Sequence, residues 1–529
     1  MRGVRMILFI SLVALTAESF AQVDTAWVRR YNGPGNDVDL AKALAVDGSG
    51  NVYVTGGSGG STSNYDYATI KYSSVGDTLW VRRYNGPGSG PDIANALAVD
   101  GSGNVYVTGA STDSSGDYAT IKYSSAGNTV WIRRYGSPGF NFAQANALAV
   151  DGSGNVYVTG SRYDLATATD YATIKYNSVG DTLWVRRYNG PGIDGDVAYA
   201  IAVDGSGNVY VTGYSDSSGT SYDYATIKYA ANGDTLWLRR YNGPGNGFDG
   251  AYALAVDGSG NVYVTGFSPG SGTNADYATI KYSSVGDTLW VRRYNGPGNN
   301  DDVATALAVD GSGNVYVTGR SVSSGTNFDY TTIKYSSAGD TLWVRRYDGP
   351  VNSDDYAYAL AVDASGNVYV TGYSVGSGSA LDYATIKYKS NGDTAWVKRY
   401  NGPGNSSDEA YALAIDGSGN VYVTGYTDSA GGINWNYATI KYSACVAKPG
   451  DANASDTYTL ADPIAIVNYV FNKPGCSPLP LCWLSGLLCR GDWDGSTTVT
   501  LGDAIRGVNF IFNKPGGPWN ALPVGVCCL

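Results

Sequence analysis

The chain has 529 residues, a formal net charge of −11 and no histidine. An acidic chain is a poor partner for nucleic acid, whose phosphates require a basic surface. The missing imidazole removes Ser-His-Asp and Cys-His nucleophile systems and any His-ligated metal, which leaves an enzyme only carboxylate chemistry.

In chain order, Arg2 and Arg5 precede an apolar run from Met6 to Leu15, followed by the small-residue exit Ser19-Phe20-Ala21. This is the layout of a secretory signal peptide, residues 1–21, too short to span a bilayer; a buried N-terminal helix is the alternative. No later stretch is long and apolar enough to cross a membrane. The expectation is a secreted protein, soluble outside the cytoplasm or held at the cell surface by a partner.

Residues 22–443 are a tandem repeat. Trp27, Trp80, Trp131, Trp184, Trp237, Trp290, Trp343 and Trp396 recur every 53 residues, with one interval of 51. Each opens a segment like WVRRY, followed by ALAVD, DGSGN, VYVTG, a variable loop and YATIKY; in the first unit these are Ala43–Asp47, Asp47–Asn51, Val52–Gly56 and Tyr67–Tyr72. With 72 Gly and 45 Tyr, such segments read as short strands punctuated by tight turns, and helices are disfavoured. Four antiparallel strands per unit make one propeller blade, which must stack on its neighbours to bury both faces.

The units resemble the SBBP class of bacterial β-propeller repeats, akin to NHL and YVTN repeats. The resemblance implies that the AVD segment is the innermost strand, A, followed by B (Val52–Gly56), C (Tyr67–Tyr72) and D (Trp80–Tyr84). The expected fold is therefore all-β, an eight-bladed propeller in which the N-terminal D strand (Trp27–Tyr31) completes the blade of the last C strand (Tyr437–Tyr442). Seven blades plus a stray unit is the alternative.

Alternating strand direction puts the near-constant A–B and C–D loops on one side of the disc. The variable B–C and D–A loops lie on the other, where variation suits recognition or simply records unconstrained drift. Two aspartate series occupy that variable side. One precedes strand A (Asp39, Asp92, Asp196, Asp249, Asp302, Asp355, Asp408, broken by Ala143), and one opens strand C (Asp66, Asp117, Asp170, Asp223, Asp276, Asp329, Asp382, broken by Asn436). They form either a carboxylate ring for cations or a basic ligand, or turn caps and partners for Arg83-type side chains.

After Tyr442 the composition changes. All six cysteines lie at 444–529 (Cys445, Cys476, Cys482, Cys489, Cys527, Cys528), as a disulfide framework of an exported module would have them. A second repeat, offset by 41 residues, pairs a twelve-residue loop with a helix in each copy. Calcium-loop spacing places ligands at Asp451, Asn453, Ser455, Thr457, Thr459 and Asp462, and at Asp492, Asp494, Ser496, Thr498, Thr500 and Asp503. A disulfide-held helical hairpin with degenerate loops is the other reading.

The duplicated loop-helix resembles a type I dockerin, which implies a small α-helical calcium-binding domain and a cohesin partner. Ser455 and Ser496 stand where a carboxylate would bind more tightly. Leu460-Ala461 and Leu501-Gly502 replace the Ser-Thr pair that cohesins commonly read. The combined expectation is a non-catalytic interaction protein, with a variable propeller face open to a glycan and a docking module dependent on calcium. A polysaccharide-active enzyme, which needs two unrepeated acids in one cleft, and a structural surface or adhesion protein are the alternatives.

Overall fold

A computed structural model describes residues 23–444, apart from loop residues 62–63, 89, 113–115, 137–141, 166, 220, 324–326 and 430–433. The expected signal peptide and the cysteine-rich segment, with all twelve expected calcium ligands from Asp451 to Asp503, lie outside the described residues.

Within each repeat, β-branched and aromatic residues alternate with small or polar ones, and the chain pleats into four strands. In the first blade these are A (Asp39–Val46), B (Val52–Gly59), C (Tyr65–Tyr72) and D (Thr78–Tyr84), hydrogen-bonded in that order. The pattern recurs in eight four-stranded antiparallel sheets. The eighth takes A (Glu409–Ile415), B (Val421–Asp428) and C (Trp435–Ala444) from the end of the repeat region, and its outer strand is Val23–Tyr31. The expected closure is the observed one, and the alternative of seven blades plus a stray unit is excluded. Each A strand touches the A strands of both neighbours in an unbroken circle, so A lines the axis.

The core lies between blades. Val52, Val54, Ala68, Ile70 and Tyr72 of the first blade pack against Trp27, Tyr422 and Tyr437 of the eighth, and equivalent clusters recur at other seams. At the centre of each seam a fully buried C-strand tyrosine donates its hydroxyl to a C-strand carbonyl of the next blade. Tyr67 reaches Ala119 at 3.1 Å, and Tyr437 closes the circle onto Ala68 at 3.2 Å. All eight tyrosines do this.

Towards the constant side, a second layer ties each D strand to the next blade's C–D loop. Trp80 Nε1 and Lys71 Nζ donate to the Ser125 carbonyl, and Arg82 Nε donates to the Gly127 carbonyl. The eighth blade has no C–D loop, because its C and D strands come from opposite ends of the chain. The D strand facing it carries Lys398 where the other seven have arginine (Arg29, Arg82, Arg133, Arg186, Arg239, Arg292, Arg345).

The strands run further than the sequence pattern indicates, A, B and C on the variable side and D, from Thr78, on the constant side. Strand A begins at Asp39, four residues before Ala43, because a β-bulge between Ala41 and Ala43 absorbs one residue and breaks the alternation. At the bulge the Leu40 carbonyl points at Gly56, where an added Cβ would lie 1.9 Å from its oxygen. The same clash meets the equivalent glycine in every blade, which explains the constant Gly of VYVTG. In the A–B hairpin, Gly50 adopts φ 75°, closing the turn with a 2.9 Å bond from its N–H to the Asp47 carbonyl.

Tyr437→Phe removes one link of the inter-blade circle and is expected to cost about 1–2 kcal/mol. Deleting residues 23–31 should instead strip the outer strand from the eighth blade and produce self-association through the bared edge. Denaturant unfolding and size-exclusion chromatography measure the two effects.

Candidate functional site

The two faces of the disc differ in chemistry. On the constant face, Asp47 accepts hydrogen bonds from the Ser49 and Asn51 backbone N–H groups, from Asn51 Nδ2 and from the Tyr53 hydroxyl, all at 2.8–2.9 Å. Burial alone would raise its carboxyl, but these donors outweigh it and hold the group below its ordinary value. Between successive A–B loops lie clefts of about 550, 470 and 450 Å³, the first lined by Asp204, Tyr210, Lys228 and Asp257. Their lysines are already engaged: Lys228 Nζ bonds the Ser284 carbonyl at 2.9 Å and sits 5.0 Å from the Tyr210 ring centroid. These clefts are repeated architecture, with nothing left over to distinguish one sector from another.

On the variable face the aspartate series prove structural. Asp39 is fully buried, accepting the Gly33 N–H at 2.8 Å and the Gly59 N–H at 3.2 Å. The whole series before strand A is buried in the same way, so no carboxylate ring is displayed at the mouth. The strand C series pairs with strand D arginines: Arg83–Asp66 at 2.8 Å, Arg134–Asp117 at 2.9 Å, Arg293–Asp276 at 2.8 Å and their equivalents. Both exceptions have local explanations. Opposite Ala143 the register places Arg162, which rests on the Tyr135 ring and fills the space left by the missing Asp and Ser. Beside Asn436, Arg30 turns to the Tyr400 hydroxyl at 2.9 Å.

One sector adds a third acid. Asp348 replaces the asparagine of the NGPG turn and brings its carboxylate within 4.8 Å of those of Asp329 and Asp355. Burial, with help from Asp348 and Asp329, pushes Asp355 up to about 6.

What distinguishes the blades is the bulged residue of strand A and its neighbours. The bulge position reads Lys42, Asn95, Asn146, Tyr199, Tyr252, Thr305, Tyr358 and Tyr411. Several of these side chains reach a neighbouring blade. Asn95 Nδ2 bonds the Ala145 carbonyl at 2.9 Å, and Thr305 bonds the Ala357 carbonyl at 2.8 Å. Tyr199 meets Tyr252, and Tyr358 meets Tyr411, both at 5.3 Å. Blades one to three carry polar, non-aromatic residues here, whereas blades four, five, seven and eight carry tyrosine and blade six carries Thr305.

Around blades six to eight, Phe328, Tyr356, Tyr373, Tyr358, Tyr411, Tyr426 and Trp435 form an unbroken chain of rings with centroids 4.6–5.9 Å apart. At its far end is Glu409, one of only two glutamates in the chain. It accepts the Tyr411 hydroxyl at 2.9 Å and the Tyr426 hydroxyl at 2.7 Å. Lys42 Nζ lies 4.7 Å from the Tyr411 ring centroid; burial pulls its pKa down and Glu409 opposes that shift. At the near end stands Arg320. None of these residues belongs to the aspartate series singled out in the sequence. Their signal was departure from the repeat: a lone glutamate, and a lysine and an arginine where other blades carry neither.

The buried aspartates also set a pH dependence. Burial raises the series before strand A, with Asp249 and Asp355 near 6, so its favourable contribution is complete below 3.8 and is lost as pH rises through about 6. The Asp47 series is lowered and loses its contribution as pH falls below 3.8. The melting temperature is expected to peak near about pH 4–5 and decline towards neutrality. Asp355→Asn should flatten the alkaline limb in a thermal melt series.

The family model of the SBBP beta-propeller repeat matches residues 79–116, 130–161, 183–219, 289–329, 342–378 and 395–432. A curated relative, an uncharacterized WD repeat-containing protein of Acanthamoeba polyphaga mimivirus, is 23% identical over 463 residues, 71% of this chain. The regulatory protein FlaEY of Caulobacter vibrioides is 31% identical over 136 residues, 23% of this chain. The matched regions span 32% and 14% of those relatives. Among solved structures, the polysaccharide lyase Uly1 aligns over 68% of this chain and 91% of its own, with 14% identity and a TM-score of 0.41. The periplasmic gluconolactonase PpgL of Pseudomonas aeruginosa aligns over 70% and 98%, with 12% identity and a TM-score of 0.41. Such scores carry no argument about chemistry. With six segments matching the repeat family and eight blades closed into one ring, the chain carries SBBP beta-propeller repeats.

Proposed function

We propose that this is a secreted, non-catalytic binding protein that recognises its ligand on the variable face of the propeller and docks through its C-terminal module in a calcium-dependent way. One observation carries the first part: the bulge position differs among blades that are otherwise nearly identical, and its aromatic members join other rings in two clusters, one around Tyr199 and Tyr252 and a longer one through Tyr358 and Tyr411. A face built only for packing would repeat like its opposite. The ligand spacing of Asp451–Asp462 and Asp492–Asp503 supports the second part. Saturable binding to glycans or envelope material is expected for the full chain, lost in Tyr358→Ala and Tyr411→Ala and kept in Lys228→Gln on the opposite face. Binding that survives both tyrosine variants would refute the reading.

Calcium titration of the full chain by calorimetry should show about two sites. Asp462→Ala and Asp503→Ala should each remove one. A chain that takes up no calcium would make these loops relics.

Glu409 supports a second reading, an enzyme acting on polysaccharide through carboxylate chemistry, since it is unrepeated and lies beside Lys42 on the same platform. Release of new reducing ends from a bound glycan, abolished in Glu409→Gln, would favour it.

A further inference from the structure

Arg320, like Lys42 and Arg162, is a cation at a position where the other blades carry none. It sits on strand B of the sixth blade (Val315–Val322), where the equivalent residues elsewhere are Gly57, Ala110, Ser161, Tyr214, Phe267, Tyr373 and Tyr426. Its guanidinium lies over two adjoining rings, 4.6 Å from the centroid of Tyr356 in the next blade and 5.3 Å from that of Phe328 in its own. Its Nε is buried without a hydrogen-bond partner, and among the described residues no ion pair engages the group. The blade's structural arginine, Arg346, already takes Asp329. Asp354, two residues before Tyr356, accepts the Phe328 backbone N–H at 3.1 Å. The charge is also felt along the platform, where it opposes the upward push of burial on Tyr252, Tyr356 and Tyr358.

A guanidinium resting against two adjoining rings has its orientation restricted before any ligand arrives, and its planar donors match a carboxylate or sulfate in two-pronged fashion. A half-buried cation without an anion is costly in isolation and favourable once an anion fills the gap. The platform beside it is shallow and made mostly of tyrosine, which suits a ligand with flat apolar faces and many hydroxyls better than a peptide that inserts apolar anchors. We propose that Arg320, with Tyr356 and Tyr358, forms an anion-recognising subsite for an acidic glycan, its sugar rings lying on the tyrosines and its acid group on the guanidinium. This rests on the variable face being the recognition surface.

The full chain would be titrated with four probes: oligogalacturonate, its carboxyl-reduced neutral counterpart, a sulfated oligosaccharide and polyglutamate. Binding of oligogalacturonate or the sulfated probe, weakening with salt, is expected, and comparing the two tells which acid group the subsite takes. Arg320→Gln should weaken that binding by about tenfold or more, with Arg320→Lys intermediate. The neutral counterpart should bind wild type and Arg320→Gln alike, a control that does not depend on how the variant folds. Equal affinity of wild type for acidic and neutral glycans, or no binding of either acidic glycan, would overturn the proposal. So would Arg320-dependent binding of polyglutamate alone. If neutral glycan or polyglutamate binds through Tyr358 and Tyr411, the recognition face stands and only the acid-sugar subsite falls.

Discussion

A four-stranded sheet of this size has two apolar faces and no layer of its own to cover them, so its neighbours must do so. Here that burial is shared at every seam: Val52, Val54 and Ile70 of one blade are covered by Trp27, Tyr422 and Tyr437 of the blade before it. The buried tyrosine hydroxyls then fix how the blades meet, because each has one carbonyl within reach and no water to replace it. An open stack would leave two such faces bare. Closure is thus a condition of folding, and it explains why the first described strand is delivered to the last sheet.

The same economy of design frees a few positions to vary. The bulge at Ala41–Ala43 is made possible by Gly56, since any side chain there would strike the Leu40 carbonyl. It lifts residue 42 and its equivalents out of the strand's alternation, so packing no longer dictates their identity. Lysine, asparagine, threonine and tyrosine are all accommodated at the same backbone geometry. A rigid frame of near-identical blades thereby holds eight independently variable side chains around one axis, and four of them, Tyr199, Tyr252, Tyr358 and Tyr411, have used that freedom to build aromatic surface.

Much of this was legible in the residues. The strand pattern, the number of blades, the closing strand and the Arg83–Asp66 type of pairing follow from period, alternation and chain order. The strand ends were not legible, because the bulge interrupts the alternation from which they are read. Nor was the candidate site. A repeat draws attention to what recurs, and the recurring aspartates turn out to be caps and ion-pair partners. Lys42, Arg320 and Glu409 occur once each, and only folding brings them onto one surface: Lys42 meets Tyr411 across 369 residues of chain. Departures from the consensus, read blade by blade, are where the information lay.

Lys398 marks a different consequence of ring closure. Seven seams are fastened on the constant side by an arginine gripping the next blade's C–D loop, with tryptophan and lysine bonds beside it. The eighth blade, spliced from two remote stretches of chain, has no such loop to grip, and among the described residues the seam facing it is held instead by Tyr383 to the Ala438 carbonyl at 3.1 Å and, on the variable side, by Arg30 to the Tyr400 hydroxyl at 2.9 Å. A circular array of near-equal joints would have no preferred place to fail. This one is built with a single lighter clasp next to its own splice, so thermal breathing has a defined point of origin, and the seven remaining joints can stay shut while it opens.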